Sequence, residues 1–318
     1  MQRLTDLFRG RLSGERGATA VVFALILVPV LGFAALAVDI GSLYAEQSRL
    51  QVAADAAALA VAGDCARGNC GDTLATARSM VIANDAAAST AQPVLTNNPL
   101  SVTVTGSTPK QHWFAPVIGH DATTVSATST VSWGAPGGGT AALPLVFSWC
   151  EFAAQTGGGL PSGTTERTIL LPKKSGTGCT GPSHNFVPGG FGWLTTDGGN
   201  TCRATSRVGG QFTSEPGNNP SKGCSPADFD GLTGDVVLLP IFDDSGGNGS
   251  HAWYHVYGYA AFKLTGYYFA GQYKGTNACG GSERCVRGYF LQFVEPSDAF
   301  FYDSTAPSMG AWILRLIR

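Results

Sequence analysis

The feature that most constrains this chain is an uncharged apolar run close to its N-terminus. Residues 18–38 form 21 consecutive positions without a charged side chain, between Gly17 and Asp39. Because a helix rises about 1.5 Å per residue, about 20 such residues cross a hydrocarbon core about 30 Å thick. The apolar core of a secretory signal is shorter, roughly 7–15 residues. The run therefore predicts a retained membrane anchor, while an A-x-A sequence at 35–37 leaves signal cleavage as the alternative.

Charges on the two sides of the run differ in sign. Arginines outnumber acidic residues before the run, and the first charged residues after it are Asp39 and Glu46. Arginine close to a membrane end favours the cytoplasmic side. We therefore predict a cytoplasmic tail over residues 1–17 and membrane boundaries at Arg16 and Asp39, with about 280 residues outside the cell membrane. The arginines before the run are Arg3, Arg9, Arg11 and Arg16.

Good helix formers continue beyond the run with a heptad pattern. Alternating spacings of four and three predict an apolar helix-packing stripe. Its members are Leu36, Ile40, Leu43, Leu50, Ala54, Ala57 and Val61, with Gln47 as the polar exception. Glu46 and Arg49 are assigned to the opposite face, which we expect to be solvated. Because the stripe passes Gly41 in phase, we predict one transmembrane and stem helix over 18–62. A short break at 39–41 followed by a separate helix is the alternative.

Eight cysteines lie beyond the apolar run, and an even number in an oxidising compartment indicates disulfides. No C-x-x-C pair is present, so a zinc ribbon or a thioredoxin-like motif is not expected. Six of the cysteines lie in the C-terminal part and allow 15 connectivities. We favour pairs between sequence neighbours. These are Cys65–Cys70, Cys150–Cys179, Cys202–Cys224 and Cys279–Cys285.

The patterns after the stem predict an α+β protein. Residues 63–133 combine a helix from Asp72 with strands from Leu100 and over 123–133, as expected for a small α/β module. Residues 134–142 are rich in glycine and predict a flexible linker. Residues 143–318 predict a β-rich, disulfide-bonded extracytoplasmic domain. Its strands are predicted at 143–149, 167–171, 235–242, 252–270, 287–294 and 311–317.

The N-terminal block resembles that of TadG-like proteins, which are related to TadE and belong to the tight-adherence (Flp pilus) assembly system. The resemblance covers about the first 60 residues strongly and the C-terminal part more weakly, chiefly in "PGGFGWL" at 188–194. It implies an envelope protein of pilus assembly or secretion and not an enzyme. The residues that carry it are Arg16-Gly17, the apolar run, Val38-Asp39, Leu43-Tyr44 and the run from Leu50 to Ala60.

The chain departs from the related prepilins at one position. Prepilins carry Glu five residues after the processing glycine, and counting from Gly17 that position is Val22. We therefore do not expect a prepilin peptidase to cleave the chain. The resemblance implies other Tad components or pseudopilins as partners, together with membrane lipid and self-association, and it implies no cofactor. A net charge of −2 without a basic surplus gives no reason to expect nucleic acid.

Candidate chemistry in the C-terminal part is weak. His251 and His255 lie four residues apart, but the surrounding residues predict a strand and the metalloprotease pattern is missing, so packed or exposed side chains are favoured over a metal site. The acidic stretch at 242–250 is interpreted as a polar hairpin turn rather than a cation loop. Phe191 and Trp193 are interpreted as core rings beside a tight turn, with a ligand cleft as the alternative. We predict no catalytic, metal or cofactor residues.

Two classes of function remain at this point. The first is a membrane-anchored structural component of Tad pilus assembly. The second is a surface-displayed binding or hydrolytic domain that uses the helix only as an anchor. The stem favours the first class, because a simple anchor does not need a heptad stripe that continues for about 20 residues into water.

Overall fold

The computed structural model describes residues 16–88, 90–171, 176–198, 200–280 and 283–317. The chain divides into two compact units. The first contains the described residues up to Ala58 together with Leu74–Pro93 and Thr103–Ser129, and the second contains Leu59–Thr73, Val94–Val102 and the chain from Thr130 onward. The cytoplasmic tail predicted for residues 1–17 lies almost entirely outside the described residues.

One long helix, α1 (Arg16–Ala66), spans 51 residues and contains both the apolar run and the predicted stem. It passes Gly41 without interruption, so the alternative of a break at 39–41 is wrong. Pro29 lies inside the helix. The helix ends where Gly68 adopts a left-handed φ of 88° and donates its N–H to the Cys65 carbonyl at 3.0 Å. Glycine adopts this conformation at little cost, which explains the end of the helix.

The first unit packs the stem against a second helix and a sheet. Helix α2 (Thr73–Asn84) is followed by β1 (Thr90–Asn97), β2 (Leu100–Gln111) and β3 (Ala122–Gly134), which are neighbours in that order. A Cβ at Gly106 of β2 would lie 3.7 Å from Cγ of Leu50 and 3.8 Å from Cγ1 of Val81. The stem, α2 and β2 therefore share one core. The helix and two of these strands match the predicted elements, whereas β1 was not predicted.

The segment predicted as a flexible linker is a strand, so that prediction is wrong. Strand β4 (Pro136–Ala141) lies between β10 (Ala204–Arg207) and β17 (Phe300–Tyr302), antiparallel to both. A Cβ at Gly137 would lie 2.5 Å from Cβ of Asp303, and one at Gly138 would lie 2.7 Å from Cζ of Phe301. The glycines are thus needed for close packing and do not provide flexibility.

The second unit is built on an eight-stranded sheet in the order β6-β15-β13-β12-β5-β9, with β11 and β14 also paired to β13. Its centre is the antiparallel pair β12–β13, while β5 lies parallel to β12. The strands are β5 (Leu145–Ser148), β6 (Arg167–Leu170), β9 (Phe191–Trp193), β11 (Gln211–Thr213), β12 (Val236–Gly246), β13 (Trp253–Ala270), β14 (Tyr273–Lys274) and β15 (Cys285–Leu291).

Smaller elements complete the second unit. The end of β3 pairs antiparallel with β18 (Ala311–Ile317), which pairs parallel with β16 (Phe293–Pro296). Strands β7 (Cys179–Thr180) and β8 (Phe186–Val187) form a separate pair. Helix α3 (Trp149–Thr156) follows β5 directly and was not predicted; Oγ of Ser148 caps it by accepting the Cys150 N–H at 3.1 Å. A short helix, α4, covers Pro226–Asp230.

Aromatic rings fill the core of the second unit. Phe191 and Trp193 are buried on β9, with ring centroids 5.9 Å apart in an edge-on arrangement. They meet the rings of Phe147 on β5 and Phe269 on β13, and Phe147 in turn meets Phe290 on β15. Aromatic side chains bury a large apolar area and prefer such tilted contacts. The "PGGFGWL" rings thus belong to the core, as we had interpreted them.

Four disulfides are present, and no described cysteine is free. They join Cys65 to Cys70, Cys150 to Cys179, Cys202 to Cys224, and Cys279 to Cys285. These are the pairs that the sequence favoured. All four lie within the second unit.

Candidate functional site

The apolar half of α1 is left uncovered by the rest of the chain. Side chains along it are exposed, including Val28 at 71% and Phe33 at 73%. Exposing so many large apolar side chains to water is unfavourable. Within the part of the chain that the structure describes, α1 is the one helix long and apolar enough to cross a membrane.

At the end of this apolar half, the carboxylate of Asp39 binds a loop. It accepts the backbone N–H groups of Trp113 at 2.8 Å, Phe114 at 3.1 Å and Ala115 at 2.8 Å. These amides lead into a short 3₁₀ helix over Ala115–Ile118, whose first N–H groups have no partner within the helix. Asp39 is only 4% exposed. A carboxylate at this position satisfies the free donors and is favoured by the helix dipole.

A second buried carboxylate lies seven residues further along α1. Oε2 of Glu46 is 3.0 Å from Nζ of Lys110 on β2, and the Glu46 side chain is 3% exposed against 29% for Lys110. Sequence reasoning placed Glu46 on a solvated face with Arg49, and this was wrong because Lys110 supplies the countercharge that burial requires. The in-phase spacing of Asp39 and Glu46 with Leu50 was the signal that could have revealed the buried face.

The structure buries only part of the predicted helix-packing stripe. Leu50, Ala54, Ala57 and Val61 are buried, and Leu43 is half-buried. Leu36 and Ile40 are exposed, at 49% and 65%. The covered face of the stem begins instead with Asp39 and Glu46. Of the two predicted membrane-boundary residues, Asp39 lies in the site, while Arg16 begins the helix and its side chain lies outside the described set.

The loop between β2 and β3, residues 112–121, exposes apolar side chains beside α1. Trp113 is 74% exposed and Val117 is 89% exposed. An open apolar groove of about 470 Å³ separates this β2–β3 loop from the helix. Its walls are Pro29, Gly32, Phe33, Ala35, Leu36 and Asp39 on the helix and Phe114, Ala115, Val117 and Ile118 on the loop.

The two histidines considered as a metal pair are separated by the structure. His251 is exposed in a 3₁₀ helix over Gly249–His251, whereas His255 lies on β13 with Nδ1 2.7 Å from Oδ1 of Asp243. Asp243 and Asp244 lie within β12, so the polar turn predicted over 242–250 is shorter than expected. Among the described residues, no group of three or more His, Cys, Asp or Glu side chains is placed to hold a metal ion.

Comparison with known proteins finds a similarity for one segment of the chain. The family model described as "Tad: Putative Flp pilus-assembly TadE/G-like" matches residues 17–64, nearly the whole of α1. No curated protein and no solved structure matches the chain. The match includes both the uncovered apolar half and the buried stem. Over residues 17–64, therefore, the chain is similar to the TadE/G-like Flp pilus-assembly family.

Proposed function

We propose that the chain is a single-pass, membrane-anchored structural component of Flp (Tad) pilus assembly or secretion, acting by helix and domain packing and not by catalysis. The observation that carries this proposal is the two-part character of α1. Its first half exposes apolar side chains, and its second half belongs to the core of a folded unit. The family match spans both parts.

The proposed orientation places the N-terminus in the cytoplasm and the folded units outside. Arg16 and the arginines before it support this orientation through the preference of arginine for the cytoplasmic side. The disulfides support it as well, because such bridges persist in oxidising compartments. Retention of residues 17–38 can be checked by alkaline extraction and intact-mass measurement. A mature protein that begins near Val38 would overturn the anchor.

The partner surface that we propose is the face of α1 that its own chain leaves uncovered. Ile40, Tyr44 and Val52 are 65%, 75% and 57% exposed, and at about 100° of rotation per residue they lie within an arc of about 120° around the helix axis. This arc lies on the side of the helix opposite the buried Glu46. The predicted helix-packing stripe is already covered by the chain itself from Leu50 onward. The uncovered face is therefore the better surface for other Tad components, pseudopilins or a second copy of the chain.

Photo-crosslinking in the native envelope tests this surface. A photoreactive phenylalanine analogue at Tyr44 should give a discrete adduct with another envelope protein, identified by mass spectrometry. The matched control places the analogue at Arg49, which is also exposed and lies about 140° around the helix axis from Tyr44. Equal yields at the two positions would contradict a specific partner face. The absence of any adduct at Tyr44 would favour an anchor that only displays the C-terminal domain.

A further inference from the structure

We propose that the β2–β3 loop inserts into the membrane beside α1, so that the groove between them is filled by lipid acyl chains of the outer leaflet. The inference rests on the proposed function in one respect, namely that α1 remains in the membrane. It adds a second membrane contact, made by a segment about 75 residues further along the chain than the end of the apolar run.

The composition of the loop suits an apolar surrounding. From Trp113 to Gly119 the sequence is WFAPVIG, without a charged side chain. Four large apolar side chains are exposed there: Trp113, Phe114, Val117 and Ile118. A cluster of this kind on a surface marks an interaction site. Tryptophan in particular is enriched at membrane–water interfaces.

Most backbone N–H groups of the loop are hydrogen-bonded within the protein. Polar backbone groups that enter hydrocarbon must be hydrogen-bonded within the protein. Asp39 accepts the N–H groups of residues 113–115. The N–H groups of Val117, Gly119 and His120 donate to carbonyls within the loop at 3.1 Å each, and Pro116 has no N–H to satisfy. This pattern explains why a buried carboxylate is placed at the end of the apolar run.

The length of the helix wall of the groove, and its level in the bilayer, favour lipid as the occupant of the groove. Its helix wall runs from Pro29 to Asp39, which is about 15 Å along the axis. That length is about half of the hydrocarbon core, the thickness of one leaflet. Apart from Asp39 at its end, the helix wall belongs to the uncharged run that we place in the membrane. The loop side chains opposite that wall are therefore at the same depth, where acyl chains are the surrounding medium.

Tryptophan fluorescence of the full chain in phosphatidylcholine vesicles tests the proposal. The difference between the emission spectra of the wild type and of Trp113→Phe gives the emission of Trp113 alone among the six tryptophans. We expect the Trp113 emission to be blue-shifted. Brominated phosphatidylcholine in the vesicles should quench it, and iodide in the water should not. Val117→Glu should reverse both effects because a charge is costly in hydrocarbon. Val52→Glu, on the stem about 20 Å beyond Asp39, should change neither.

Three results would overturn the inference or the anchor separately. Trp113 emission quenched by iodide and not by bromolipid would place the loop in water. Emission quenched by neither would mean that protein covers the loop, either a second copy or another component. Both results overturn the loop insertion while the chain still floats with vesicles. A chain that does not float would contradict the anchor itself and, with it, the inference.

Discussion

The ammonium group of Lys110 lies 3.0 Å from Oε2 of the buried Glu46, so strand β2 neutralises a carboxylate of the stem. Among the described residues, the other oxygen of Glu46 has no hydrogen-bond partner. The pairing with Lys110 is therefore the main compensation for burying this charge, and it sets up the first of four expected results.

Removing the lysine should destabilise the first unit. In Lys110→Met a carboxylate stays buried without its countercharge, a situation that costs about 3 kcal/mol when a buried pair is broken. Limited proteolysis of the solubilised chain should show faster cleavage within residues 74–129. The double variant Glu46→Gln/Lys110→Met should recover most of the loss, because neither charge remains. Equal sensitivity of the single and double variants would mean that the pair does not matter.

Removing the carboxylate of Asp39 should release the β2–β3 loop. Asp39→Ala leaves three backbone donors without their acceptor, at a cost of about 1–3 kcal/mol for each donor that stays buried. Hydrogen exchange at Trp113, Phe114 and Ala115 should accelerate in the reconstituted protein. Asp39→Asn, which keeps one acceptor oxygen, should show a smaller effect. Unchanged exchange in the alanine variant would contradict the role assigned to Asp39.

A charge on the covered face of the stem should disrupt folding, whereas the same charge on the uncovered face should not. Ala54 is fully buried, so Ala54→Glu should cost about 3 kcal/mol or more by burying an unpaired carboxylate. Val52 is 57% exposed, and Val52→Glu should leave the stability nearly unchanged. Protease protection of the first unit distinguishes the two variants. Comparable protection in both would contradict the assignment of faces.

Acid should weaken the second unit partly through Glu166. The hydrogen bond from Thr265, with those from Asn277 and the charge of Arg287, holds the pKa of Glu166 below its usual range despite partial burial. A carboxyl group with a lowered folded pKa contributes stability above its unfolded pKa, about 4.3, and loses that contribution as the pH falls through the folded value.

The Glu166→Gln variant measures this contribution. It should lower the free energy of unfolding of the second unit by about 1–2 kcal/mol at pH 7, and the difference should disappear in strong acid. Urea unfolding followed by near-ultraviolet circular dichroism at several pH values provides the measurement. A difference that stays constant across the whole pH range would show that Glu166 does not act through its charge.

The sequence was informative where local patterns determine structure. The uncharged run and the spacing of Leu43, Leu50 and Ala57 depend only on neighbours along the chain, and α1 follows from them. Disulfide partners a short distance apart were accessible for the same reason. Glu46 was misplaced because its environment depends on Lys110, which lies 64 residues away in the chain. No local pattern in the sequence indicates such a partner.

The glycines of β4 show a second kind of failure. Composition alone cannot distinguish glycines that give flexibility from glycines that permit close packing. At Gly138 the decisive neighbours are the ring of Phe301 and the carbonyl oxygen of Ser206, which a Cβ would approach to within 2.7 and 2.9 Å. The β2–β3 loop was missed similarly, because its apolar residues gain significance only from their position beside α1.

The two attachments of α1, at Asp39 and Glu46, also restrict its rotation. They lie about 10.5 Å apart along the axis and bind the loop and β2 of the same folded unit. Turning the helix about its own axis would therefore break both attachments at once. The azimuth of Phe33 and its neighbours on the apolar half is thus determined by the folded unit. Under the proposed membrane anchoring, any protein that binds the apolar half within the bilayer meets one fixed side of it, and a torque applied there is transmitted to the folded unit.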